Sequence, residues 1–572
     1  MTILKFFSKN ISKLSRSILP LQTQPQVKYT LFALMSAGVC LFVGFLVCLR
    51  SPVFGVDPIS STVVNNLGTH HHPITTSSPQ AQKEFDRGLI LAFAFNHAEA
   101  LAAFARASQS DPNCAMCYWG MALVLGPNIN APMGTEAVAP ADRAIQKALQ
   151  LAQGISDTEQ DYINALATRY TPDIADDRAE LDRTYAHAME ALSQRHPEDV
   201  DAATLFAEAL MDTMPWDYWM PDGQPKPATQ KILAALESVL DRKPTHPGAN
   251  HYYIHAVEAV DPQKAESAAD RLRDLNLDAG HLVHMPSHIY ARIGRYHDAA
   301  VANERAIEVD EAYIAREKPE GIYPDLYYPH NIHFLWFGAS MEGRSQVALD
   351  AARKLVDRVS LEAVRTLPSL EPFFTVPLLT LAQFGQWEAI LDEPQPPTEF
   401  FYLTAMWHYG RGLAFARLQR LDKARTEATG LTSILETGEL TDAGVPFASL
   451  ARIAQTLLAG EIAGLEGQTA QMLEHFQTAV ELQDAIPYME PPFWYYPTRQ
   501  TLGAALLEEG RVSEAEIIYR EDLAQNPENG RSLFGLAQSL ESQGMMEEAA
   551  TVRERFAAAW AHADTELRIS RF

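Results

Sequence analysis

From about Ser78 onward, apolar residues recur at spacings of three and four, in runs broken by Gly, Pro and Asn. That spacing puts apolar side chains on one face of a helix. Strand-like alternation is absent, so the pattern predicts helices and almost no sheet. The helices pair. QKEFDRGLILAFAFNHAEALAAFARASQSDPN reads helix, turn, helix, with Gly88, Ala100, Phe104, Ala107 and Pro112 at its crossings and end. TLGAALLEEGRVSEAEIIYREDLAQNPEN repeats the order with Leu502, Gly503, Gly510, Ala515 and Pro527. SLFGLAQSLESQGMMEEAATVRERF repeats it with Leu536, Ala537, Gly544 and Ala549. Gly510 and Gly544 are 34 residues apart, and so are Ala515 and Ala549.

These residues resemble the tetratricopeptide repeat, whose period is about 34 residues. The likeness covers most of 78–560, with further units at Gly294, Gly343, Trp387 and Leu421; residues 113–245 are irregular. It implies an all-α helical repeat solenoid over residues 78–566. Each turn glycine is expected to end its first helix in a left-handed cap. Each unit packs only on its neighbours, which lets 572 residues fold without one oversized core.

The N-terminus has a different pattern. Lys5, Lys9, Lys13, Arg16 and Lys28 precede an uncharged run from Tyr29 to Leu49, closed by Arg50. The run is long enough to cross a bilayer. It is long for a signal peptide, and no small-x-small cleavage site follows it cleanly. The sequence therefore predicts a cytoplasmic basic N-terminus at 1–28, a transmembrane anchor at 29–49 and a flexible linker at 50–77. The array is placed in the periplasm or elsewhere outside the cytoplasm. HHHP at His70–Pro73 reads as incidental to that linker. Net charge is −26 without a basic patch, so nucleic acid is not an expected partner. Cys114 and Cys117 are the cysteines outside the anchor. They read as a disulfide, two buried thiols or a redox pair; CAMCYW lacks the histidine of a haem attachment site.

The candidate chemistry lies in histidines that share a repeat phase. His281, His284 and His288 stand 13, 10 and 6 residues before Gly294, and His330 and His333 stand 13 and 10 before Gly343. His251 and His255 are placed similarly before Ala265, one residue short. In the family this chain resembles, such positions line the concave groove. Converging imidazoles suit Zn, Cu, Fe or Ni. Glu258, one turn after His255, can ligate or orient an imidazole. Pro286 is expected to kink its helix and aim His284 and His288 at one point. The expected ligand set is His284 and His288, with His251 or His255 and with His330 or His333; the others would be supporting residues or ligands of a second ion. HYYIH is not HExxH, so a zincin mechanism is not supported. Without metal, the same histidines would be hydrogen-bonded groove residues clamping a peptide carboxylate.

MPWDYW at 214–219, PPFWYYP at 491–497 and GPNINAPM at 126–133 are expected to wall the groove or fill gaps between repeats. Together with CAMCYWG, HYYIHAVE, GHLVHMPSHIY and HNIHFLWF they resemble a group of bacterial membrane-associated tetratricopeptide repeat proteins. The expectation is a membrane-anchored scaffold with a protein or peptide partner in its groove. The alternative is a metal-dependent enzyme or metal-handling protein. No nucleophile–base pair or phosphate loop names a reaction.

Overall fold

The structure, a computed structural model, describes residues 66–173 and 177–571. The predicted basic N-terminus and anchor lie outside the described residues. Among the described residues, no helix is long and apolar enough to cross a membrane. All regular structure there is helical apart from two isolated bridges, Asn128 to Ala131 and Trp219 to Pro225.

The expected hairpins are present. Pro79–Phe93 pairs with His97–Ser110, Arg499–Glu508 with Val512–Gln525, and Gly530–Ser542 with Met546–Ala559. Polar residues start several helices: Ser78, Asn96, Asp199 and Asn529 accept from first-turn N–H groups. The glycines at the crossings make room for an aromatic ring. Cβ atoms at Gly88 and Gly120 would lie 2.7 and 2.4 Å from the Phe104 ring. At Gly503 and Gly535 they would lie 2.6 and 2.2 Å from Tyr519. In both places the spacing is Gly, sixteen residues, aromatic, sixteen residues, Gly, so one ring is clasped between consecutive hairpins.

The array is not an open solenoid with a free groove. Its last hairpins fold back onto its middle. Gly294 lies against the Pro527 carbonyl, and Gly343 against the Trp560 ring. Asp564 accepts from the Ser345 and Gln346 N–H groups at 2.7 and 3.0 Å, Arg531 donates to the Gln383 carbonyl at 2.7 Å, and His297 stacks on His562 at 3.6 Å. The space expected to be a groove is therefore interior.

The start of the chain is packed as well. The described end of the stretch read as a linker, 66–77, is fixed to the array. Asn66 exchanges hydrogen bonds with Asp278 and donates to the Asn276 carbonyl, and His70 and His72 are buried against Asp201. The reading of HHHP as incidental is thereby corrected: buried imidazole–carboxylate bonds, invisible in local composition, hold it. Cys114 and Cys117 are disulfide-bonded and buried at the start of helix Ala115–Leu125.

Candidate metal centre

Three first helices bring the histidines together. Helix Pro247–Val257 carries His251 and His255, and Glu258 is its C-cap. The next first helix is broken, as expected, at Pro286 into Gly280–His284 and Pro286–Arg292. The break lets His284 and His288 turn toward each other, with 2.8 Å between their Nε2 atoms. His330 comes from Tyr328–Met341.

Six imidazoles fall into two sets. In His251, His255 and His281, one nitrogen from each lies within 4.8 Å of the others; the same holds for His284, His288 and His330. The sets adjoin, with ring centroids 5.6 Å apart for His255 and His288 and 5.9 Å for His281 and His284. His330 is half-buried; the other five, with Glu258, are at most 4% exposed. They are interior residues, not the wall of an open groove.

The outer ring nitrogens of four of them are occupied. The tautomers here are inferred from the partners. Nδ1 of His251 donates to the Phe93 carbonyl at 2.6 Å, and that of His255 to Glu258 Oε1 at 3.1 Å. Nδ1 of His284 donates to Asn303 Oδ1 at 2.6 Å; the Asn303 amide nitrogen donates to Ala299, which leaves that oxygen as acceptor. Nδ1 of His288 donates to Glu258 Oε2 at 2.5 Å. The opposite nitrogens of His251, His255 and His284 are thus left with lone pairs facing the interior. His251 and His281 have Nε2 atoms 3.1 Å apart. His255 Nε2 and His281 Nδ1 are buried without a hydrogen-bond partner. Two imidazole lone pairs at such distances repel unless a proton or a metal ion lies between them.

The electrostatics agree with a place for positive charge. Burial, reinforced by neighbouring imidazoles, holds His251, His255, His281, His284 and His330 well below the usual histidine range, so they are neutral. At His288 burial opposes protonation, but Glu258 and Glu490 overcome it and push the group up to about 10. Glu490 carries no repeat signal in the sequence. Its Oε2 lies 2.5 Å from His288 Nδ1 but is not aligned as an acceptor, since Glu258 takes that proton. Burial and the Glu258 charge raise the Glu490 carboxyl. It sits in the loop 485–498, beside the PPFWYYP segment.

Aromatic rings close the sides. Phe95 lies 4.6 Å from His251, Trp216 5.1 Å from His255, Tyr327 4.8 Å from His281 and Phe334 4.6 Å from His288. The irregular segments serve this wall: Trp216 Nε1 donates to the Ile129 carbonyl, and Asn130 donates to the Tyr327 hydroxyl. A cleft of about 210 Å³, lined by Arg292, Phe337, Tyr488 and Trp494 among others, reaches Phe334 and Glu490. Those two side chains separate it from His288.

His333 does not join the cluster. It shares the repeat phase of His284, yet its ring stacks on Trp336 at 5.0 Å and meets Phe373 at 5.2 Å, toward the following hairpin. Repeat phase fixes the helix face but not which neighbour covers it. A second histidine cluster, around Asp201, has no repeat phase: His246 has no repeat partner, and His70 and His72 precede the array. It fits a metal poorly. His246 Nδ1 accepts from Ala249, so its Nε2 carries the proton donated to Asp201 at 3.0 Å. His70 Nδ1 faces the Lys243 ammonium, so its Nε2–H also donates to Asp201, at 2.9 Å.

No family model matches this chain, and no curated protein matches it. Solved structures with some likeness include a human IFIT1 dimer with m7Gppp-AAAA, 12% identical over 85% of this chain and 91% of that one, at TM-score 0.29. A monomeric IFIT1 mutant with m7Gppp-AAAA is 13% identical over 84% and 96%, at TM-score 0.31. Naa15/Naa10 bound to HypK-THB is 12% identical over 85% and 90%, at TM-score 0.22. Likeness at these scores carries no argument about what this chain does.

Proposed function

We propose that this chain is a transition-metal protein whose helical array is the scaffold around an internal imidazole centre. The supporting observation is the occupation of the outer nitrogens. Phe93, Glu258 and Asn303 hold four imidazoles so that their opposite ring nitrogens face inward, three as free lone pairs and that of His288 with a proton that an ion would replace. Proteins use such carbonyl– and carboxylate–imidazole pairs to orient metal ligands. A nitrogen-rich donor set favours Zn, Cu, Fe or Ni over Mg or Ca. Three protein nitrogens around an ion leave a coordination position open, as in catalytic and metal-handling centres rather than closed structural ones. The cleft beside Glu490 is the approach to it.

A second reading, a protein-binding or assembly scaffold, draws on the repeat architecture and on the exposed apolar Ile517, Met545 and Met546 of the last hairpins. Its partner would bind the outer face, because the histidine interior is closed to a peptide. Elemental analysis of the full chain separates the readings. The expected result is stoichiometric Zn, Cu, Fe or Ni, reduced in His284→Ala with the helical circular-dichroism signal retained. A folded chain that neither carries nor takes up such a metal leaves the scaffold reading. We place the chain at a membrane through 29–49 with the array outside the cytoplasm; the Cys114–Cys117 disulfide supports an oxidising compartment.

A further inference from the structure

We infer that the centre holds two metal ions, one in each imidazole triad, and that Glu258 is the positioning residue that couples them. The inference rests on the metal reading above and adds its number, ligand division and linkage.

The division is geometric. Within the first triad the ring centroids are 4.8 Å apart for His251 and His255, 4.9 Å for His251 and His281 and 6.1 Å for His255 and His281. Within the second they are 4.7 Å for His284 and His288, 4.9 Å for His284 and His330 and 5.6 Å for His288 and His330. With metal–nitrogen bonds of about 2.0–2.1 Å, nitrogens on one tetrahedral ion stand ~3.4 Å apart. The closest nitrogens, 3.1 Å apart in the first triad and 2.8 Å in the second, need only small rotations to reach that spacing. Each triad supplies three nitrogens, which fills a tetrahedral ion except for one position.

Glu258 has one oxygen for each triad. Oε1 accepts from His255 at 3.1 Å and Oε2 accepts from His288 at 2.5 Å. Its side chain is 1% exposed, so water does not substitute for either bond. An ion between Glu258 and the Nδ1 atoms of His255 and His288 would have to displace both bonds and would leave His255 Nε2 orphaned. The triads use that nitrogen. The ligand class is two late first-row transition ions, and Co(II) is a suitable probe because its visible bands report nitrogen coordination.

The test is titration of the metal-free full chain with Co(II), followed by visible absorption and equilibrium dialysis. Wild type should take two equivalents. His281→Ala and His330→Ala should each take one, with different residual spectra. Glu258→Gln should still take two, both weakened by about 10–100-fold, with shifted bands and an unchanged thermal midpoint. A wild-type chain that saturates at one equivalent overturns the inference and leaves the metal reading standing. So does loss of a sole ion in Glu258→Gln while both alanine variants keep theirs. No uptake by wild type removes the metal reading itself. The wild-type count decides the number even if a variant fails to fold.

Discussion

At the scale of the residue, burial decides what each histidine does. His97 is held at about 4 by burial and by Arg169, and His333 at about 3 by burial. An unfolded chain protonates both near 6.5. With folded values below unfolded ones, protonation favours unfolding. Their stabilising effect is therefore complete above about pH 6.5 and is lost as pH falls toward 4 and 3. Within those windows each group contributes about 1.4 kcal/mol per pH unit. The urea midpoint of the metal-free chain should drop clearly from pH 7 to pH 5, with a shallower drop in His97→Gln. A midpoint that does not move between those pH values contradicts this account. The sequence showed the histidines because they repeat, and it showed Glu258 because it stands one turn from His255. It could not show Glu490 or Asn303, whose local sequence carries no periodic signal. Nor could it show the Phe93 carbonyl, which is backbone. The repeat phase also promoted His333, which packs on Trp336 and Phe373 instead.

At the scale of the element, the turn glycines look alike in sequence but do different work. Gly294 and Gly510 both adopt positive φ, +86° and +71°. A side chain at either costs about 1–2 kcal/mol for the left-handed backbone. Around Gly510 the space for a Cβ is open, whereas at Gly294 it would stand 2.3 Å from the Pro527 carbonyl oxygen. Gly294→Ala should therefore lower stability by clearly more than Gly510→Ala, compared by denaturant midpoints at constant slope. Equal losses would mean that Pro527 yields without cost. The helix pairing and these turns were legible because they obey local rules. The fold-back of the last hairpins was not, because it depends on contacts between residues two hundred positions apart, such as Asp564 with Ser345.

At the scale of the whole molecule, the charge order at the N-terminus and the disulfide point to one arrangement. In the placement proposed above, the array would face an oxidising space and the basic flank of 1–28 would stay on the opposite side of a membrane. Protease added to intact spheroplasts should digest residues beyond Ser51 and spare the N-terminal flank. Protection of the array with digestion of that flank reverses the topology.

The closed array also sets an order of events. Phe93 and Glu490, which flank the histidine interior, come from early and late parts of the chain. During synthesis the first triad is complete in sequence once His281 has been made, but Glu490, which lies against His288 of the second triad, follows about two hundred residues later. On the metal reading proposed above, the second triad would be closed over its ion only late in biosynthesis. The ion pool of the compartment where the chain finishes folding would then govern which element is trapped.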